Sequence, residues 1–233
     1  MIESALDLER NLAVIRRGVG AAAARAGRDP GGVTVVAVAK GLPAELVRWA
    51  AGAGIADVGE NYVQEMAAKR QELEPDAAPL RWHFVGTLQR STAHRVADLA
   101  DVVHTLGSAH AAARLAGRAE RDGRRIPALI EVDFTGHRVG VSARDLPAFA
   151  AEVRALRGME LRGLMTLPPL TEDPERARPY FRRLRELRDG IAEGPGDLPE
   201  LSMGMSGDYE VAVEEGATMI RIGTALFGDR PTT

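Results

Sequence analysis

Apolar and polar positions along this 233-residue chain follow two alternating rhythms, one of helical period and one of continuous β-branched runs. Residues 4–26 set Leu6, Leu8, Leu12, Ile15 and Val19 at helical spacing, with Ser4 placed to cap the start and Gly27 to stop the end. After the turn at 29–32, the run VTVVAVA (33–39) is too uniformly apolar for a one-sided sheet and predicts a strand buried on both faces. The alternation then repeats. A helix at 43–53, a strand at 55–59 and a helix at 61–74 lead through Pro75 and Pro79 to a strand at 82–86. Helix 89–99, strand 101–106, helix 109–122, strand 127–134 and helix 144–157 come next. Strand 161–167, helix 174–192, strand 200–204, helix 207–215 and strand 218–223 complete the series.

Eight strands separated by seven helices, with one more helix in front, predict a parallel sheet of the α/β class. Eight such units predict closure into a single TIM-like (β/α)8 barrel with an extra N-terminal helix, one domain over 1–233. The longest polar insertion, PPLTEDPE (168–175), falls on the face where barrel ligands bind and predicts a lip over that face.

Composition narrows the function. A net charge of −3 carries no basic excess for nucleic acid or an anionic membrane. The absence of cysteine removes disulfides, thiolate metal sites and cysteine nucleophiles together. Acidic residues Glu3, Asp7 and Glu9 stand where a signal peptide needs a basic flank and an apolar run, and no apolar stretch approaches the roughly 18 residues of a membrane span. The expectation is a soluble cytoplasmic protein, monomeric because no heptad run or extended apolar helix face advertises a partner. None of the five histidines forms a metal-ligand spacing, so no metal is expected.

The basic residues comprise 28 arginines and only two lysines, Lys40 and Lys69. Arginine replaces lysine wherever a generic positive charge suffices, but its guanidinium stays protonated and cannot do imine chemistry. A lysine kept in that background is informative. Lys69, in the polar run AAKRQELE, reads as a solvated helix charge. Lys40 ends the first strand at the expected mouth of the barrel, where desolvation favours a neutral, nucleophilic amine. Other residues expected at strand C-termini are Glu60, Asn61, Gly86, Thr105, Asp133, Met165 and Met205.

The segment LSMGMSGD (201–208) predicts an anion site, with Gly204 and Gly207 admitting close backbone approach and Ser206 beside a helix start. RIGT (221–224) adds Gly223 and Thr224, and phosphate sites of β/α barrels lie after strands seven and eight. Arg221, within an apolar strand, needs a ligand or a buried carboxylate. A lysine amine and a phosphate cradle together imply a phosphorylated aldehyde or ketone. Pyridoxal 5′-phosphate (PLP) and the sugar phosphate of a lysine-based aldolase both qualify, and these residues alone do not separate them.

The segments VAVAKGLP (36–43), GENYVQE (59–65), RWHFVGTLQ (81–89), ELRGLMTLPP (160–169) and LSMGMSGDYEVAVEEGATMIRIGTALFG (201–228) carry a resemblance along nearly the whole chain. It resembles the YggS-like PLP-binding family, the pyridoxal phosphate homeostasis proteins, which look like the N-terminal barrel domain of alanine racemase, a fold-type III PLP enzyme. The resemblance implies that Lys40 carries PLP as a Schiff base and that Ser206, Gly223 and Thr224 hold the phosphate. Arg221 would face the pyridine nitrogen, Asn61 would contact the ring, and His83 and Met203 would line or support the pocket. Two departures stand out: LQRST (88–92) has Ser91 and Thr92 where the family has Asn-Lys, and TGHRVG (135–140) has His137 and Arg138 where it often has Ser-Lys.

A two-base racemase needs a second acid/base opposite the lysine, and in the resemblance that is a tyrosine of a domain this chain lacks. Tyr62 and Tyr209 fall at helix starts, where packing is the expected role. The function implied is therefore a non-enzymatic PLP carrier or buffer in intracellular PLP homeostasis, influencing amino-acid and keto-acid metabolism. Apo PLP-dependent enzymes are the expected recipients, and a weak PLP-dependent amino-acid racemase is the alternative.

Overall fold

The computed structural model describes residues 1–73, 79–137 and 139–229; the expected helix end at Glu74, Pro75 and the loop residue Arg138 lie outside them. Helix α1 (Ala5–Arg25) starts where Ser4 Oγ accepts the Asp7 amide at 3.2 Å, and Gly27 at φ +64 turns the chain away after its end. Leu8, Leu12, Ile15 and Val19 form its buried stripe, whereas Leu6 lies outside it and is 54% exposed.

Eight parallel strands close in chain order into a barrel: β1 (Thr34–Val38), β2 (Asp57–Glu60), β3 (Arg81–Phe84), β4 (Val102–Leu106), β5 (Ile126–Glu131), β6 (Met159–Met165), β7 (Glu200–Ser202) and β8 (Met219–Ile222). The seam joins β1 to β8, with Val36 opposite Arg221 and Ala37 opposite Ile222. Between the strands run α2 (Ala44–Gly52), α3 (Val63–Leu73), α4 (Ala93–Leu99), α5 (Ala109–Arg121), α6 (Leu146–Arg154), α7 (Arg178–Ile191) and α8 (Tyr209–Glu214). The expected TIM-like architecture is the one found.

Local departures have local causes. The helix expected from residue 174 is a 3-10 turn, Pro174–Ala177, followed by α7, because Pro179 lacks an N–H and fits only the first turn of an α-helix. β5 ends at Glu131, three residues early, since Val132 leaves the ladder to bridge Val141. A further short helix, α9 (Thr224–Phe227), follows β8. It brings the ends of the fold together: Ile2 N donates to Phe227 O at 2.9 Å and Asn11 Nδ2 to Leu226 O at 3.0 Å.

Most of the core lies between barrel and helices, while Val36, Val102, Leu129, Met165 and Met219 form a separate apolar cluster drawn from five strands. That second cluster is the filling of a packed barrel. Polar side chains are also buried in the barrel strands, among them His83, His104, Ser202 and Arg221.

Candidate functional site at the barrel mouth

A cavity of about 340 Å³ opens at the C-terminal ends of the strands, a size suited to a small ligand. Side-chain alternation puts Lys40 there. Val36 and Val38 share the inner face of the barrel with Gly59 of the neighbouring strand, and Lys40, two residues on, continues that face into the mouth as a half-buried cavity-lining side chain. Gly41 follows at φ +68, a left-handed turn that suits glycine, and its amide is held by Glu65 Oε2 at 2.7 Å.

Asn61, Ser206, Arg221, Gly223 and Thr224 line the same cavity, so six of the eight expected binding residues come together. Asn61 is admitted by Gly86, where a Cβ would stand 2.0 Å from the Asn61 carbonyl oxygen. Glycine is the only residue that lets the end of β3 pass so close. Across the cavity, Gly204 at φ +90 makes the turn out of β7, and Ala212 occupies the place its Cβ would need. Ser206 Oγ accepts the Ala225 amide at 3.0 Å, tying the β7 turn to the β8 turn and leaving its hydroxyl hydrogen to donate to a ligand. A Cβ on Gly207 would meet nothing within 4 Å, and one on Gly223 only the Val38 carbonyl at 3.5 Å, so both turns leave room at the cavity. Val38, Leu42, Val85 and Leu167 supply apolar wall.

Arg221 forms part of the wall although it is only 5% exposed. Its Nη1 donates to Ser202 Oγ at 2.7 Å and its Nη2 to Thr166 O at 2.9 Å, which fixes the plane of the guanidinium. Behind it runs a buried polar row. His104 Nδ1 lies 2.8 Å from Ser202 Oγ, His104 Nε2 2.7 Å from His83 Nδ1, and His83 Nε2 2.8 Å from Asp57 Oδ1. Arg81 Nε reaches the same Asp57 oxygen at 2.5 Å. Burial above all, then the electrostatic influence of His83, Arg221 and Arg81, holds His104 well below the usual histidine range. Burial pushes Asp57 up, but its bonds to His83 and Arg81 prevail and hold it below the usual carboxylate range.

Two expected pocket residues are elsewhere. His83 is a member of this buried row and reaches the mouth only through it. Met203 is wholly buried in the layer between barrel and helices, and Met205, beyond the Gly204 turn, is the methionine at the cavity. The row's other members, Asp57, His104 and Ser202, were missed. Their signal was polar residues inside otherwise apolar strands, as in DVVHTL.

Lys69 also departs from expectation. Far from solvated, it is 6% exposed, donating to Glu60 Oε1 at 2.5 Å and to the Ala39 carbonyl at 2.6 Å. Glu60 points outward from β2 and does not line the mouth; burial, opposed by Lys69, raises its carboxyl above the usual range. Thr105 is likewise structural, donating to the Gly86 carbonyl at 2.6 Å. Asp133 orders the loop after β5 by accepting from the Thr135 amide and hydroxyl, both at 2.7 Å. Tyr209 packs over Gly18 of α1, but Tyr62 is 57% exposed and does not pack.

Among the described residues no helix is long and apolar enough to cross a membrane, and no cluster of three or more histidine, aspartate or glutamate side chains could hold a metal. The arrangement can take a flat carbonyl compound: an amine on one side, an anion-sized space between two glycine-bearing turns on another, and a fixed guanidinium between them.

The family model for the alanine racemase N-terminal domain matches residues 8–231. The pyridoxal phosphate homeostasis protein of Pseudomonas aeruginosa is 40% identical over 225 residues, 96% of this chain and 96% of its own. That of Aquifex aeolicus is 40% identical over 209 residues, 88% and 91% of the two chains. Among solved structures, PipY of Synechococcus elongatus PCC7942 with PLP bound superposes with a TM-score of 0.83 at 34% identity, over 95% of this chain and all of its own. Alanine racemase of Clostridium difficile 630 shares the fold at 15% identity, with a TM-score of 0.74 over 97% of this chain and 56% of its own.

Proposed function

Because this chain belongs to the alanine racemase N-terminal domain family, we propose that it binds pyridoxal 5′-phosphate and serves intracellular PLP homeostasis, holding the cofactor on Lys40 and releasing it to apo-enzymes. One observation carries the reading. Of the only two lysines, Lys40 lines the cavity together with Ser206 and Gly223, while Lys69 is held in a buried ion pair with Glu60.

The residues present fit the group. Gly207 and Gly223 leave room for the phosphate, and Ser206 and Thr224 offer hydroxyls to it. Asn61 and the apolar wall bound the space for the ring. Bound PLP supplies an aldehyde that condenses reversibly with a primary amine. The Lys40 amine, at the rim of an apolar strand bundle, is the group placed to react with it. Arg221 has donors only, so a ring nitrogen facing it must accept; such a nitrogen stays unprotonated, which weakens the ring as an electron sink.

A carrier reading is favoured over a racemase because none of Tyr62, Tyr180 and Tyr209 lines the cavity, so no tyrosine stands opposite Lys40 as a second acid/base. The homeostasis name borne by its relatives supports the same choice. The test is borohydride reduction of the PLP-loaded protein followed by peptide mass spectrometry. The label is expected on the Lys40 peptide, and Lys40→Ala is expected to lose both the label and the visible absorbance. Attachment to Lys69, or no attachment, would overturn the assignment.

A further inference from the structure

The polar row behind Arg221 has a direction, and simple donor and acceptor counting fixes it. A guanidinium can only donate, so Ser202 Oγ accepts from Arg221 at 2.7 Å. Of the hydroxyl's two partners, only His104 can take its hydrogen, at Nδ1 2.8 Å away. A neutral His104 that accepts at Nδ1 carries its proton on Nε2 and donates it to His83 Nδ1 at 2.7 Å. His83 then carries its own proton on Nε2 and donates to the Asp57 carboxylate at 2.8 Å. Every ring nitrogen and the hydroxyl are satisfied once, in one sense, from a cation at the cavity wall to an anion at the start of β2. Running the row backwards would make Ser202 accept from both neighbours and strand its hydrogen, with both Ser202 and His104 at 0% exposure.

We propose that Asp57, His83, His104 and Ser202 form a one-way hydrogen-bond relay that orients the Arg221 guanidinium, which makes them positioning residues of the cofactor site. The Thr166 carbonyl also holds Arg221, and Arg81 keeps Asp57 ionised from the outer end. This deepens the PLP reading, on which the role of Arg221 toward the ring rests. The direction of the relay belongs to the protein alone.

The experiment exploits that separation. Long-range proton–nitrogen spectra of wild-type protein labelled with ¹⁵N-histidine, at neutral pH and without cofactor, report which ring nitrogens carry hydrogen. His83→Gln and His104→Gln assign the signals. Both rings are expected neutral with the proton on Nε2. In Ser202→Ala the His104 Nδ1 signal should move and PLP affinity should fall about tenfold, equivalent to about 1.4 kcal/mol. An Nδ1 proton or an imidazolium on either ring in the wild type would overturn the relay. So would ring signals indifferent to Ser202→Ala, which is the mark of a packing role. Failure of the wild type to take up PLP is a different result: it removes the cofactor reading, while the spectra still decide the relay.

Discussion

Removing Lys69 tests the least expected feature of the fold. In Lys69→Met the side chain keeps its length and apolar stem but loses the ammonium that faces Glu60 and the Ala39 carbonyl. Glu60 then sits with a wholly buried side chain and no counter-ion, and its Oε2 already lacks a hydrogen-bond partner among the described residues. Such a carboxylate can stay charged at a penalty of several kcal/mol or take up a proton. Protonation sets the ceiling. Keeping a glutamate neutral at pH 7 when it titrates near 4.3 in the unfolded chain costs about 2.7 units of 1.36 kcal/mol, or ~3.7 kcal/mol. The orphaned Ala39 carbonyl adds about 1 kcal/mol. The expected loss is therefore about 3–5 kcal/mol at pH 7, read by urea unfolding with tryptophan fluorescence.

The pH dependence gives the sharper check. In the variant the folded state binds one more proton than the unfolded state above pH 4.3, so stability is lost as pH rises and recovered as pH falls toward that value. The deficit should shrink to about 1–2 kcal/mol near pH 4.5. Glu60→Leu combined with Lys69→Met should recover much of the loss at pH 7, since an apolar pair has no charge to strand. A loss below about 1 kcal/mol at pH 7, or a deficit indifferent to pH, would refute the claim that this pair is buried and mutually dependent.

Three further outcomes follow from the geometry. Gly86→Ala sets a Cβ against the Asn61 backbone, which cannot swing aside, so stability should fall by about 1–3 kcal/mol in thermal unfolding and PLP binding should weaken in an absorbance titration. Met203→Ala should destabilise by about 2–5 kcal/mol with PLP affinity nearly unchanged, whereas Met205→Ala should do the reverse; equal effects would contradict their placement on opposite sides of the barrel wall. Asp57, held below the usual carboxylate range, contributes stability that is full above about pH 5 and lost as pH falls through its folded-state value. Acid unfolding of Asp57→Asn should accordingly be shallower than that of the wild type below pH 4.

The barrel was legible because β–α alternation is a property of local runs, and eight strands in order need no long-range guess. Lys40 was legible for a compositional reason, being one of two lysines among 28 arginines at the end of an apolar strand. Lys69 was misread because its partners lie on another element. The polar stretch around it looks like an exposed helix face, and nothing local says that Glu60 turns outward from β2 to meet it. Met203 was misread through a single backbone angle. Residues 203 and 205 share a face in an unbroken strand, but Met203, next to inward-facing Ser202, lies in the outer layer, and the left-handed turn at Gly204 brings Met205 round to the mouth. The histidine row stayed hidden because His83 and His104 sit on paired strands β3 and β4 while Ser202 comes from β7, which only barrel closure brings within bonding distance.

The seam between β1 and β8 also governs when the site exists. As the chain leaves the ribosome, the Lys40 amine emerges early, and most of the protein must still be made before the Ser206 and Thr224 turns appear. A nascent or clipped chain that stops after β7 has two open strand edges and an amine with nothing to hold an anion beside it. On the proposed reading, capture of the aldehyde waits for the complete chain, and incomplete copies expose a sticky flank to proteolytic surveillance instead.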